Sequence, residues 1–183
     1  MSISSIVKKV RGIFKRKDIA KEALESINEN RGLLWEKIAI FKEQLLDIEG
    51  AVRHHTEEMD DLFPTKHHLK NGMYTREVFM PKGSLVVSFI HKQDHPSFFL
   101  EGEMSILMDT GEVKRIKAPM QFQTEIGTQR VAYTHEDCRW TCVYRTDAKE
   151  IAVAEKEVYT EDFLELPEHV ILNKRCLEYT QQE

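Results

Sequence analysis

The chain has 183 residues and is poor in the features that mark secreted, membrane-spanning or nucleophilic proteins. Its three cysteines are an odd number without a CxxC pair, so they form no disulfide framework. Cys138 and Cys142 fall on one expected strand, roughly 13 Å apart by the strand rise and too far for a bridge. They read as buried thiols. No run approaches the roughly 18 apolar residues that a membrane-spanning helix needs. The first residues interleave apolar side chains with Lys and Arg and so lack the apolar core of a secretory signal. No GxSxG occurs, and no glycine-rich phosphate loop accompanies the arginines. Nucleophilic catalysis is therefore not expected.

What the chain does have is a long apolar stripe at its start. With Ile3 at a heptad a position, the seam takes in Ile3, Ile6, Val10, Ile13, Ala20, Leu24, Ile27, Leu34, Ile38, Phe41, Leu45, Ile48, Val52, Met59 and Leu62. Only Lys17, Arg31 and His55 interrupt it. A repeat of about 3.5 residues holds one stripe toward a partner helix. Residues 1–62 are therefore expected to assemble the protein as a homo-oligomer, with Leu24, Ile27, Leu34, Ile38, Phe41, Leu45, Ile48 and Val52 as the central contacts. The mixture of Ile and Leu at a and d leans toward three chains over two. Leu33, Ile40 and Leu46 widen the stripe, and helices folded against their own domain would show the same pattern. Arg31-Gly32 and Gly50 mark where one rod would break into shorter helices.

Charge is distributed unevenly. The chain carries −5 overall, but residues 1–17 carry +6 and the remainder −11. Lys8, Lys9, Arg11, Lys15, Arg16 and Lys17 form a basic amphipathic head, which is expected to touch an anionic surface of lipid, nucleic acid or acidic protein. No specific nucleic-acid motif goes with it. Hydrophobic residues make up 41% of the chain, enough for one core with an accessory element.

Pro64 closes the helical region, and from Thr65 the period changes to alternation. Turn signals at Asn71-Gly72, Pro81-Lys82-Gly83, Gly102, Thr110-Gly111, Ala118-Pro119, Gly127 and Glu136-Asp137 bound nine short strands: 65–70, 73–80, 84–91, 97–101, 103–109, 112–117, 120–124, 129–135 and 138–145. That density describes a sandwich or barrel. In strand 129–135, Val131, Tyr133 and His135 oppose Arg130, Ala132 and Thr134. In strand 138–145, Cys138, Trp140, Cys142 and Tyr144 share a face. The tail is open between helix and extended arm over 148–156, with a short helix from Thr160 to Leu166 stopped by Pro167. The expected units are residues 1–62, a barrel over 63–146 and a tail over 147–183 packing on the barrel or a neighbour.

The segment GSLVVSFIHKQDHPSFFLEGE resembles the first motif of the cupins, the small double-stranded β-helix proteins. Gly83, His91, His95 and Gly102 fall along its frame. His91 matches the second histidine, His95 stands in the place of the glutamate, and Phe89 replaces the first histidine. In KAPMQFQTEIGTQR, Pro119 and Gly127 match the second motif, with Arg130 where a metal-binding histidine is usual. A more specific resemblance, over about residues 65–163, is to small cupin-like proteins encoded by tailed bacteriophages. It is carried by KHHLKNGMYTREVFMPKGSLVV, FIHKQDH, GEVKRIKAPMQFQTEIGTQRVAYTHEDCRWTCVY and KEIAVAEKEVYTEDF. Those proteins often have a histidine near the end of the last strand, where this chain has Tyr144.

The resemblance implies a cupin-like jelly roll; with the heptad-patterned helices before it, which the resemblance does not cover, the expected fold is mainly β with α elements. The long seam together with the incomplete metal motif makes a non-enzymatic, phage-type structural or accessory role the leading expectation, in a virion or the host cytoplasm, with phage structural proteins as partners. Two constellations keep other functions open. His91, His95 and His68 could hold a divalent transition metal, since imidazole suits Zn, Fe, Ni or Cu; no cofactor is otherwise expected. Tyr74, Arg76, Arg130, Tyr133, His135 and Trp140 form a candidate pocket. There the arginines would bind a carboxylate or phosphate and His135 would act as acid or base, as in a sugar-nucleotide isomerase or epimerase. The bland alternative pairs Arg76 or Arg130 with Glu77, Glu125 or Asp137. A third function is a small-molecule sensor whose helices transmit binding.

Overall fold

Alternating side chains from Thr65 onward build strands, and tight turns fold them back on one another. The computed structural model describes Leu24, Ile27, 33–47, 51–54 and 56–180, with side chains as far as Lys174. The basic head from Lys8 to Lys17 and the seam residue Ile48 lie outside these residues. The strands are β1 (Thr65–Lys70), β2 (Met73–Met80), β3 (Leu85–Val87), β4 (Ile90–His91), β5 (His95–Glu101), β6 (Glu103–Leu107), β7 (Val113–Lys117), β8 (Met120–Thr124), β9 (Val131–Thr134), β10 (Cys138–Arg145) and β11 (Tyr159–Thr160). Helices α1 (Leu34–Leu46) and α2 (Glu57–Leu62) precede them; α3 (Ile151–Val158), a short 3-10 turn (Phe163–Glu165) and α4 (Glu168–Thr180) follow β10.

Two antiparallel sheets face each other, in the orders β1-β2-β10-β5-β8 and β3-β9-β6-β7. Apart from the β1–β2 and β6–β7 hairpins, the chain crosses between the two sheets, so that β2, β10, β5 and β8 oppose β3, β9, β6 and β7. This is the connectivity of a jelly roll, two interleaved Greek keys. The Asn71-Gly72 turn closes the first hairpin with positive φ at both residues, 53° and 78°, as a two-residue hairpin turn requires. Gly102 joins β5 to β6 at φ +93°, and a Cβ there would lie 2.3 Å from the Asp137 carbonyl oxygen. Only glycine fits.

The expected strand 84–91 divides in two. Ser88 takes hydrogen bonds away from the ladder: its Oγ accepts from the Arg130 N–H at 2.9 Å and donates to the Phe89 carbonyl at 2.8 Å. Beyond this break β4 pairs with β11, setting His91 opposite Tyr159. Of the two alternatives for the tail, the helix forms, over Ile151–Val158; the next turn is a short 3-10 element, and Pro167 then opens α4, its carbonyl accepting from Val170 and Ile171.

Side-chain parity separates two cores. Inward residues of both sheets, among them Phe99, Met104, Ile106, Ala132 and Trp140, form the barrel interior. Outward residues Val87, Leu107, Val131 and Tyr133 meet Leu24, Ile27, Ile38 and Phe41 on the far side of the second sheet. Leu34 and Leu45 pack against the same cluster. The stripe expected to join chains thus covers the chain's own sheet over α1, because a strand buried on both faces needs an apolar cover. The helix is further fixed by Trp35, which stacks on Phe163 at 4.6 Å between ring centroids.

Candidate functional site

The inward residues leave a cavity of about 510 Å³ between the sheets, within the range of small-molecule pockets. Val78, Met104, Ile106, Ala132 and Trp140 give it an apolar body; Arg76, His91, Ser97, Thr124, Arg130 and Tyr159 supply the polar groups. The end of α1, residues 51–54 and α2 form a strap over the mouth, where Leu45, His54, Met59 and Phe63 join the lining. Lys42 on α1 forms an ion pair with Glu161, just after β11.

Strand alternation places the arginines. Arg76 shares the inward face of β2 with Tyr74 and Met80, and Arg130 lies one residue before β9 on the parity of Ala132. The Arg76 guanidinium sits 5.8 Å from the Tyr159 ring centroid, and that of Arg130 sits 5.7 Å from Phe122, both within cation–π range. The Nε of each is buried without a hydrogen-bond partner among the described residues. Glu77 is engaged elsewhere, by Arg139 at 3.0 Å and Lys66 at 3.7 Å. Asp137 accepts from the Lys82 backbone N–H. Burial lowers the Arg130 pKa, and Asp109 partly opposes this.

His91 is buried, with its Nδ1 hydrogen-bonded to the Tyr144 hydroxyl at 2.9 Å. Burial, then His95, Arg130 and Arg76, hold its pKa well below the usual 6.5, so its ring is neutral at pH 7. The Tyr144 hydroxyl is pushed well above its usual range, first by burial, and stays protonated. His95 lies 4.6 Å from His91 between ring centroids. Its Nδ1 donates to the Gln93 carbonyl at 3.0 Å, since a carbonyl only accepts; this leaves Nε2 a bare acceptor, buried and unpartnered. On the strap, His54 bonds the Val87 carbonyl through Nε2 at 3.1 Å and lies against Phe89 with its ring tilted, 4.0 Å between centroids. Burial takes its pKa down to about 4.

The sequence-derived constellations are partly assembled and partly split. His91 and His95 come together, but His68 is exposed on the outer face of β1. Tyr144 bonds His91 directly. Among the described residues no three His, Cys, Asp or Glu side chains converge. Two guanidiniums add positive charge beside the histidine pair, so these groups do not suit a divalent cation. Of the candidate pocket, Arg76, Arg130 and Trp140 line the cavity. Tyr74 lies in the interior core, its hydroxyl bonded to His67 Nδ1 at 2.7 Å and donating to Glu155 at 3.3 Å. Tyr133 belongs to the α1-facing core, and His135 bonds Ser105 at 2.7 Å. Both sit on the parity opposite Arg130, as their spacing along one strand already required. Sequence reasoning missed Tyr159 and His54. Neither carries a local signal, since each reaches the cavity through an element distant in sequence.

No protein-family model and no curated protein matches the chain. Solved structures do resemble it. Ectoine synthase from P. lautus is 16% identical over 63% of this chain and 82% of its own, with a TM-score of 0.43. The cupin domain of an XRE family transcriptional regulator from Enterobacter cloacae is 10% identical over 48% and 99%, at 0.40. An RmlC-like cupin family protein from Methanocaldococcus jannaschii is 8% identical over 52% and 86%, at 0.39. These likenesses concern the fold alone, whose assignment rests on the strand order. Fold and site together define a jelly roll with a partly open, arginine-bearing cavity between its sheets. Among the described residues no helix is long and apolar enough to cross a membrane.

Proposed function

We propose that the chain is a small-molecule-binding jelly roll, with the barrel cavity as the site and the N-terminal strap as its roof. The observation that carries this is the cavity itself: an apolar chamber of about 510 Å³ with polar heads gathered in it. Such a combination is the usual form of a ligand site. Contact between the strap and the lining also supports a sensor, in which occupancy is felt by the helices. Assembly through the seam draws less support, because Ile38 and Phe41 are buried against the chain's own barrel. A phage structural role rests on the sequence resemblance alone. The isomerase constellation loses Tyr133 and His135 to the other face of β9.

Thermal-shift screening of the full chain against small organic compounds tests this function. Bound compounds raise the melting temperature without being consumed, a gain that grows with concentration over Kd. Ala132→Leu, which adds bulk to the cavity wall, removes the gain while the protein stays folded. A screen in which shifts survive that substitution would place binding elsewhere.

A further inference from the structure

We infer that the ligand class is an amphipathic organic carboxylate, its head between Arg76 and Arg130 and its apolar body along Val78, Ile106, Ala132 and Trp140. This rests on the cavity being a binding site and adds the chemistry of what fills it. Three observations converge. Both guanidiniums line one cavity, and the field of both reaches His91. Each keeps a buried Nε–H without a protein acceptor among the described residues, and a buried cation that the protein leaves short of partners favours an anionic ligand. The neighbouring acids are occupied: Glu77 by Arg139 and Lys66, Glu161 by Lys42, while Asp109, whose charge is felt at Arg130, accepts from the Thr128 hydroxyl at 3.2 Å.

The remaining polar groups refine the head. Ser97 and Thr124 hydroxyls bond each other at 2.8 Å, and His91 is a neutral ring tied to Tyr144. Two planar forks thus remain as the charged donors, a set matched to the two oxygens of a carboxylate. The body must be apolar, because most of the remaining wall is aliphatic or aromatic and offers no partner to a polyhydroxylated ligand.

Octanoate, 1-octanol and octyl phosphate share one body and differ in the head, so calorimetric titration of the full chain with each tests the assignment. Octanoate is expected to bind about tenfold or more tightly than 1-octanol, the range of a charge-assisted hydrogen bond. Arg76→Met and Arg130→Met keep the apolar stem; each is expected to weaken octanoate by about tenfold and leave 1-octanol unchanged. Equal affinity of octanol and octanoate in the unmodified chain overturns the carboxylate assignment and leaves the cavity as a site. Clear preference for octyl phosphate overturns the choice of head. Failure of all three, together with an empty screen, overturns the binding function as well.

Discussion

His91 shows how much of this site depends on single atoms. Its Nδ1 is satisfied by Tyr144, whose hydroxyl stays protonated. Tyr144→Phe keeps the ring and deletes that bond. It is expected to cost about 1–3 kcal/mol, the range for a buried group left unpaired, read as a lower urea midpoint with an unchanged slope. The histidines also set a pH dependence. His54, His91 and His95 all have folded pKa values below 6.5, chiefly through burial. Below about pH 6.5 the unfolded chain takes up protons that the folded chain refuses, so stability falls as pH drops. Each contributes at most about 1.4 kcal/mol per pH unit until its folded pKa is reached. Urea unfolding from pH 7.5 down to about 5.5 should show a declining free energy, with a shallower slope in His54→Gln. A flat profile would contradict the burial of these rings.

At the scale of elements, α1 and the β5–β6 turn make opposite demands on sequence. Phe41 is buried against the outer face of the second sheet, so Phe41→Ala is expected to cost about 3–5 kcal/mol. The loss should be the same across about a hundredfold range of protein concentration, whereas a seam between chains would make it concentration-dependent. At Gly102 the positive φ and the 2.3 Å approach to Asp137 leave no room for a methyl group. Gly102→Ala is expected to destabilise by several kcal/mol, from left-handed strain plus a backbone displacement. Thermal melts measure both. Strands β1, β2, β8 and β10 lie at the residues their alternation indicates, because each is bounded by a turn residue such as Gly72 or Pro119. The division of 84–91 was not legible. It depends on Ser88 meeting Arg130, a contact that only the closed barrel creates. The heptads of 34–45 are equally ambiguous, since a helix on a doubly buried sheet and a helix on a partner show the same stripe.

The whole molecule explains why the cavity was half visible in the sequence. Arg76, Arg130 and Trp140 could be grouped from residue chemistry and strand parity. Tyr159 and His54 reach the same space from the tail and the strap. Their arrival is a property of topology: β11 pairs with β4, and residues 51–54 cross the mouth. The grouping of Tyr133 and His135 with Arg130 ignored the alternation of β9, which sends them to the other core.

The two arginines carry a consequence for the empty barrel. Like charges set among apolar walls are costly, and burial already lowers the Arg130 pKa. On the proposed reading, the ligand-free form is less stable than its fold would otherwise allow, the trade that binding sites commonly impose. Arg130→Met, the same substitution that weakens octanoate, is therefore expected to melt at a higher temperature than the unmodified chain when neither holds ligand. Differential scanning calorimetry decides it, and a lower melting temperature would recast Arg130 as a structural brace. On the proposed reading, the barrel is most stable when a carboxylate fills it.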